Sequence, residues 1–362
     1  MVFAGGGTGG HLYPALAIAD EIKKLKPDVE FLFVGTNNKI EARIVPMRGL
    51  KFKAIWISGL HRRVTMENLL FPVKVLVAFV QSFFLVQKFR PDAVVGTGGY
   101  VCGPVLFAAS LLGIPTFVHE SNSFPGITTK LLAGRASRVF IAFEATSRWL
   151  KRKDNIELVG TPTRSELSSA TRDEAASYFG LDARKHTVLI FGGSLGAASI
   201  NNAVLNNLDE ILNGGNQIIW QTGEKDFDRI KSQTPVRAGL WLGAYIDRME
   251  LAYAAADVVV GRSGATTIAE LTRLGKPAVF IPYPHASEDH QTKNARNVVH
   301  AGAALMISDN EASTRLMSCL SPLLTDQRLR ERMSAASKQL GKADAGTTIA
   351  QKILSTIEQQ TD

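Results

Sequence analysis

The sequence predicts an α/β protein built from two doubly wound, Rossmann-like domains. Three observations carry that prediction. Short apolar runs alternate with stretches whose apolar residues recur at helical spacing, as in a parallel sheet covered on both faces. Glycine-rich turns stand where a run ends and a helical stretch begins: Gly5-Gly6-Gly7-Thr8-Gly9-Gly10-His11, Gly96-Thr97-Gly98-Gly99-Tyr100-Val101-Cys102-Gly103-Pro104 and Gly192-Gly193-Ser194-Leu195-Gly196-Ala197. The pattern breaks near Leu158-Val159-Gly160-Thr161-Pro162-Thr163-Arg164 and restarts at Thr187-Val188-Leu189-Ile190-Phe191. A chain of 362 residues is long enough for two such domains. We place them at 1–162 and 163–342, with a final helix, 343–362, packing back on the first.

In the first half, strands are expected at 2–4, 30–34, 52–57, 93–96, 116–119 and 139–142, with helical stretches such as 105–112 and 127–132 between them. Glycine permits the positive φ of a tight turn and lets another molecule approach the backbone. The helix after each turn offers unpaired N–H groups and the positive end of its dipole to an anion. Ligands of such sheets bind at the carboxyl ends of the strands. Both N-terminal turns lie at such ends, and so does His119-Glu120-Ser121-Asn122-Ser123-Phe124-Pro125-Gly126. A polar stretch to Lys185 reads as the crossing between domains. Beyond it, strands are expected at 187–191, 217–221, 240–242, 258–260, 278–282 and 304–307, with helices starting near Asp226, Met249, Ala265, Asp289 and Glu311. The last stretch, 347–359, reads as an amphipathic helix.

The net charge of +8 suits an anionic partner: a phosphate, a nucleic acid or an acidic membrane face. Cys102 and Cys319 match no zinc spacing and make no disulfide framework, which points to a reducing compartment. The chain enters a strand without a basic-then-apolar leader, which argues against secretion. Residues 68–86 approach the length of a membrane span, about 20 residues, but Lys74 and Gln81 interrupt them. A buried crossover helix is the expectation. The alternative is that its start, with His61, Arg62 and Arg63 just upstream, rests on anionic lipid.

The first turn is not the dinucleotide fingerprint, because no acidic residue closes the second strand. It carries His11 at a helix N-terminus, where the dipole disfavours imidazolium, as a general base requires; the alternative is that His11 simply packs beneath the turn. In the second half, Gly261-Arg262-Ser263-Gly264-Ala265 opens a helix whose first N–H groups suit a pyrophosphate. Glu270 follows on that helix, where its carboxylate can accept from a ribose diol, although a lone helical Glu is most often a surface acid. His290, Gln291 and Asn294 cluster at another helix start, where side-chain amides suit sugar hydroxyls and equally suit ordinary capping. Asp226-Phe227-Asp228 has the letters of a metal-binding Asp-x-Asp but sits in a polar helical stretch, so it reads as a solvated face.

Taken together, Gly5–His11, Gly96–Pro104, His119–Asn122, Gly192–Ala197, Gly261–Glu270 and His290–Ala295 resemble the bacterial enzyme family that makes lipid II, the MurG N-acetylglucosaminyltransferases. The similarity runs in order over nearly the whole chain. It implies a GT-B fold, two Rossmann-like domains facing across a cleft. It also implies inverting transfer of N-acetylglucosamine from UDP-N-acetylglucosamine to the 4-hydroxyl of the muramoyl sugar of lipid I, for peptidoglycan and hence cell-wall synthesis. Donor contacts carry over to Ser194 and to Ser263, Gly264 and Ala265 at the diphosphate, with Ile246 giving backbone bonds to uracil. Glu270 falls to the ribose, and Gln291 with His290 beside it to the sugar hydroxyls. Two glutamines commonly stand there in the family; here the first is His290. Arg164 matches a family arginine near the hinge. Thr8, Gly9, Gly10 and Asn122 come from the first domain, and Tyr100 lies near the acceptor pyrophosphate. The base is His11 or, second, Glu120.

The resemblance implies no metal or other cofactor and no nucleic-acid partner. It implies peripheral attachment to an anionic surface, the cytoplasmic face of the inner membrane, where Arg62, Arg63 and Lys74 supply charge. The competing readings are a GT-B transferase with another lipid or small acceptor and a dinucleotide-dependent oxidoreductase. The second-half nucleotide-sugar features count against the latter.

Overall fold

The computed structural model describes residues 1–59, 70–193 and 196–361. They gather into two compact units, Met1–Thr163 with Ala343–Asp362, and Arg164–Lys342. In the first unit the chain runs β1 (Val2–Ala4), α1 (Gly9–Leu25), β2 (Leu32–Gly35), α2 (Ile40–Met47), β3 (Lys51–Ala54) and α3 (Phe71–Phe89). It continues through β4 (Val94–Gly96), α4 (Cys102–Leu111), β5 (Thr116–Glu120), α5 (Ile127–Leu132), β6 (Arg138–Ile141) and β7 (Ile156–Leu158). The strands form one parallel sheet in the order β3-β2-β1-β4-β5-β6-β7. The winding reverses between β1 and β4, which opens the crevice where such sheets take ligands.

Val2, Phe3, Val94 and Val95 are fully buried, as central parallel strands require. Phe3 stacks on Phe33 with ring centroids 5.1 Å apart. One face of the sheet packs on Leu12, Ile18 and Ile22 of α1 and on Ile349, Ala350 and Ile353 of α14 (Ala345–Thr361). The chain therefore ends on the unit where it began. Thr347 Oγ1 donates to Glu21 Oε2 (2.9 Å), and Lys352 pairs with Glu157 (3.2 Å).

The structure corrects the reading of 68–86 as a buried helix. In α3 the stripe turned inward is Lys74, Ala78, Ser82 and Val86, one residue every four. Only 17% of its most apolar window is buried, while Leu76 and Phe84 are each 64% exposed. Polar groups inside explain the inversion. Lys74 Nζ donates to Ser58 Oγ (3.0 Å) and lies 5.9 Å from the Trp56 ring centre; Ser82 Oγ donates to the Ala78 carbonyl (2.6 Å). Lys74 thus does not present its charge to a lipid surface. His61, Arg62 and Arg63 lie outside the described residues.

The second unit holds α6 (Arg172–Phe179), β8 (Thr187–Phe191), α7 (Ala198–Asn213), β9 (Gln217–Gln221), α8 (Glu224–Gln233), β10 (Leu240–Gly243) and α9 (Met249–Ala255). β11 (Val258–Gly261), α10 (Ala265–Leu274), β12 (Ala278–Phe280), α11 (His290–His300), β13 (Ala304–Met306), α12 (Ala312–Thr325) and α13 (Gln327–Leu340) follow. The sheet is again parallel, in the order β10-β9-β8-β11-β12-β13, around a core of Ile190, Trp220, Val260, Ile281 and Leu316.

The polar stretch expected to be a bare crossing contains α6. Thr171 and Glu174 make a reciprocal capping box at its start, and Gly180 (φ 66°) ends it. Arg172 then ties α6 to the sheet. Its guanidinium donates to both oxygens of Asp257 (3.0 and 2.8 Å), and the Thr187 N–H donates to Asp257 Oδ2 (2.8 Å). Burial alone would raise the Asp257 pKa, but these donors outweigh it and hold the carboxyl below its ordinary 3.8.

The stability such a depressed carboxyl gives is full above its unfolded-state pKa and lost as pH falls through the folded value. Asp257→Asn is expected to cost about 2 kcal/mol at neutral pH, with the gap to wild type closing below about pH 4. Urea melts from pH 7 to 3 measure this. A gap that stays constant into acid would refute the assignment.

Candidate functional site

In the first unit three segments meet at the ends of adjacent strands β1, β4 and β5. The two glycine turns interlock. A methyl group at Gly98 (φ 109°) would run into the His11 ring, and one at Gly99 (φ 85°) would sit 2.6 Å from the Gly6 carbonyl oxygen. Only glycine fits both the left-handed backbone and the closeness of the second turn. Thr97 locks the pair from two sides: its Oγ1 donates to the His11 carbonyl (2.7 Å), and its own carbonyl lies 3.1 Å from His11 Nδ1. A carbonyl can only accept, so Nδ1 carries the hydrogen. In the neutral ring Nε2 is then the proton-accepting nitrogen. Thr8 is the exposed N-cap of α1 and makes no capping bond, with Gly9 and Gly10 opening the helix. Tyr100 is half-buried against Gly7, and burial raises its pKa.

Glu41, from α2, did not figure among the expected site residues. It is 1% exposed; its Oε2 accepts the Gly7 N–H (3.1 Å), and its Oε1 accepts the Thr36 N–H (3.1 Å) and hydroxyl (3.0 Å). A carboxylate so placed clamps the first glycine turn from beneath. It also spends the Gly7 N–H, one of the groups expected to meet an anion.

Glu120 is buried at the end of β5, and both its oxygens are engaged. Oε1 accepts from the Asn122 N–H (3.0 Å) and Nδ2 (3.1 Å); Oε2 accepts from the Gly126 N–H (3.1 Å) and Thr129 Oγ1 (2.7 Å). It folds the loop that carries Asn122. These four bonds occupy both oxygens of the residue expected as the second choice of base. His119 is fully buried, and burial lowers its pKa. Its Nε2 donates to the Gly160 carbonyl (3.0 Å).

In the second unit the loops after β8, β11 and β12 are likewise neighbours. Ser194 lies outside the described residues. Gly196 (φ 75°) lies so close to the Thr222 carbonyl that no side chain fits there. Gly264 caps α10 and Ala265 opens it, so their N–H groups stand at a helix start. Ser263 is fully buried and its hydroxyl donates to the Gln291 carbonyl (2.9 Å), which joins the starts of α10 and α11. Gln291 Oε1 accepts the Tyr283 N–H (3.0 Å). Glu288 and Asp289 enter α11 with φ of 53° and 55°. Such left-handed backbone costs a non-glycine residue about 1–2 kcal/mol, and strain of this kind gathers at ligand-facing loops. His290 is the first residue of α11.

Two expectations change here. The Ile246 N–H donates to Gln221 Oε1 (3.0 Å), so only its carbonyl is left for a base edge. Glu270 is no surface acid. It is 8% exposed, with burial pushing its pKa up and Arg164 and Tyr253 working against that rise. Arg164 Nη2 stands 3.4 Å from its Oε1. Asp226 accepts from Asn201 Nδ2 (2.8 Å), and Asp228 is exposed, in keeping with a helix face.

Residues 1–141 match the glycosyltransferase family 28 N-terminal domain, and residues 187–349 match its C-terminal domain. The chain is 43% identical over 362 residues to the UDP-N-acetylglucosamine--N-acetylmuramyl-(pentapeptide) pyrophosphoryl-undecaprenol N-acetylglucosamine transferase of Flavobacterium psychrophilum, covering 99% of this chain and 98% of that one. It is 45% identical over 366 residues to the protein of the same name from Chlorobium luteolum, covering 99% of each. The crystal structure of MurG from Acinetobacter baumannii superposes with a TM-score of 0.78 at 27% identity, covering 98% of this chain and 99% of that one.

If Glu41 clamps the first glycine turn, Glu41→Ala will cost about 3 kcal/mol of stability. It will also speed amide exchange at Gly7 and Thr36 by about tenfold or more, read by NMR. Unchanged protection at both amides would rule out the clamp.

Proposed function

The chain belongs to glycosyltransferase family 28, and on that premise we propose how its residues carry out one transfer. The fold is the two-domain GT-B architecture. The protein is a UDP-N-acetylglucosamine-dependent glycosyltransferase that moves N-acetylglucosamine onto the muramoyl sugar of lipid I, giving lipid II for peptidoglycan synthesis.

The first unit takes the acceptor and the second the donor. His11 Nε2 removes the proton of the muramoyl 4-hydroxyl as that oxygen attacks the sugar's anomeric carbon. The bond to the UDP phosphate breaks on the opposite face, so the configuration inverts. The leaving diphosphate gathers charge at the starts of α7 and α10, where Gly264 and Ala265 present N–H groups, and the family resemblance assigns Ser194 to the same diphosphate. Glu270 holds the ribose, the Ile246 carbonyl meets uracil, and Gln291 with His290 reads the sugar hydroxyls. Arg164 braces Glu270. Thr8, Gly9, Gly10 and Asn122 serve the transferred sugar, and Tyr100 serves the acceptor pyrophosphate. The observation that carries this assignment is the Thr97 carbonyl at His11 Nδ1, because it leaves Nε2 as the basic nitrogen.

The acceptor's polyprenyl tail fixes it in a membrane, and the protein attaches peripherally to that anionic surface on its cytoplasmic side. α3 supplies the apolar contact through Leu76, Val80 and Phe84, which are 64%, 43% and 64% exposed. α3 packs on α4, which packs on α5. Phe107, Leu111, Ile127 and Leu131 extend the apolar face, and Arg135 lies over Phe107 and Lys130 over Phe124. These two cations take the electrostatic part first assigned to Lys74. The basic surface serves lipid, with no nucleic-acid role, and the transfer needs no metal.

Labelled N-acetylglucosamine is expected to pass from its UDP donor to a short-chain lipid I analogue, with chelator present. The double variant Leu76→Glu, Phe84→Glu is expected to keep that rate but lose about tenfold or more with lipid I in anionic vesicles. No transfer while UDP-N-acetylglucosamine still binds would discard the acceptor. Equal loss with both acceptors would discard the membrane face.

A further inference from the structure

Tyr253 is fully buried on α9, yet it is not simply a packing residue. Its hydroxyl donates to Glu270 Oε2 (2.8 Å), and its ring meets Phe191 edge-on at 6.2 Å. Phe191 is the last residue of β8, immediately before the third glycine turn. A phenylalanine would fill the same volume and keep the Phe191 contact. What tyrosine adds is one donor, aimed at a carboxylate that is itself nearly enclosed. Arg164 stands at the other oxygen (3.4 Å), so each Glu270 oxygen has one partner from the protein. A carboxylate oxygen accepts from more than one direction. With Tyr253 and Arg164 each at one oxygen, an acceptor site remains on both oxygens of the carboxylate.

We propose that Tyr253 is a positioning and specificity-determining residue: its hydroxyl holds the Glu270 carboxylate as a two-point acceptor, which selects a ribonucleotide donor over a 2′-deoxyribonucleotide donor. This rests on the reading of Glu270 as the ribose-binding carboxylate. A site built to accept from two hydroxyls rejects the analogue that lacks one, because a buried acceptor is then left unsatisfied. Tyr253 also matters for protonation. Burial pushes the Glu270 pKa up, while Arg164 and then the Tyr253 hydroxyl oppose that rise. Without the phenol, the carboxyl takes up a proton at a higher pH and presents a donor to the diol.

The test is steady-state transfer from UDP-N-acetylglucosamine and from its 2′-deoxyuridine counterpart. Wild type is expected to show a KM about tenfold or more higher for the deoxy donor. Tyr253→Phe is expected to raise KM for the ribo donor about tenfold with kcat within about twofold, the mark of lost ground-state binding. Its KM for the deoxy donor should barely move, so discrimination falls. In the double variant with Glu270→Gln the two effects should not add, because both act through one contact. An unchanged KM in Tyr253→Phe, or an equal rise for both donors, overturns the proposal. If Glu270→Gln leaves KM and discrimination as in wild type, it is the ribose reading that fails. Should Tyr253→Phe not fold, 3-fluorotyrosine at 253 keeps the shape and sharpens the donor. A change in discrimination is expected there too, and no change overturns the proposal.

Discussion

Buried carboxylates bonded to loop donors are the constraint on which this architecture depends. Glu41 holds the first glycine turn and Glu120 holds the loop that carries Asn122, while Glu270 is gripped from a neighbouring helix by Tyr253 and from the crossing between units by Arg164. Glu41 and Glu120 stand near the carboxyl end of a strand or on the helix beyond it and accept loop N–H groups. A carboxylate taken out of water without donors is very costly. A loop that supplies the donors is therefore locked to one conformation, because leaving it strands a charge. The same logic makes these loops pre-organised, so that little reorganisation is left for the reaction itself.

The bonds that fix the loops also remove groups from the chemistry. The Gly7 N–H is given to Glu41 and the Ile246 N–H to Gln221, so neither can also meet a ligand without breaking a protein bond. Glu120 accepts four bonds and acts as a structural clamp. His11 is held differently: one ring nitrogen is tied to the Thr97 carbonyl, which fixes the tautomer and the ring direction. That is the arrangement a general base uses.

Local patterns in the chain were enough to read the alternating fold. The glycine turns could be placed because backbone room and helix N-termini leave a local signature, and the central strands because strands buried on both faces are apolar throughout. β7 leaves no strand signal in the sequence because it is a three-residue edge strand, partly exposed and flanked by charge. α6 was hidden in a polar stretch, although Thr171, Glu174 and Gly180 were its start and stop signals. What could not be read was any contact distant in sequence. Glu41 meets Gly7 across 34 residues, and Ile246 meets Gln221 across 25. The inward turn of Lys74 depends on Ser58 and Trp56, so the sequence left open which side chains of α3 face out.

Single-turnover transfer across pH, comparing His11→Ala with Glu120→Gln, tests the central claim most directly. His11→Ala is expected to slow transfer roughly 100-fold or more at saturating substrate and to remove the acid limb of the profile. Glu120→Gln should keep the wild-type limb even where it lowers the rate by loosening its loop. Near-normal turnover in His11→Ala, or loss of the limb in Glu120→Gln alone, would contradict it.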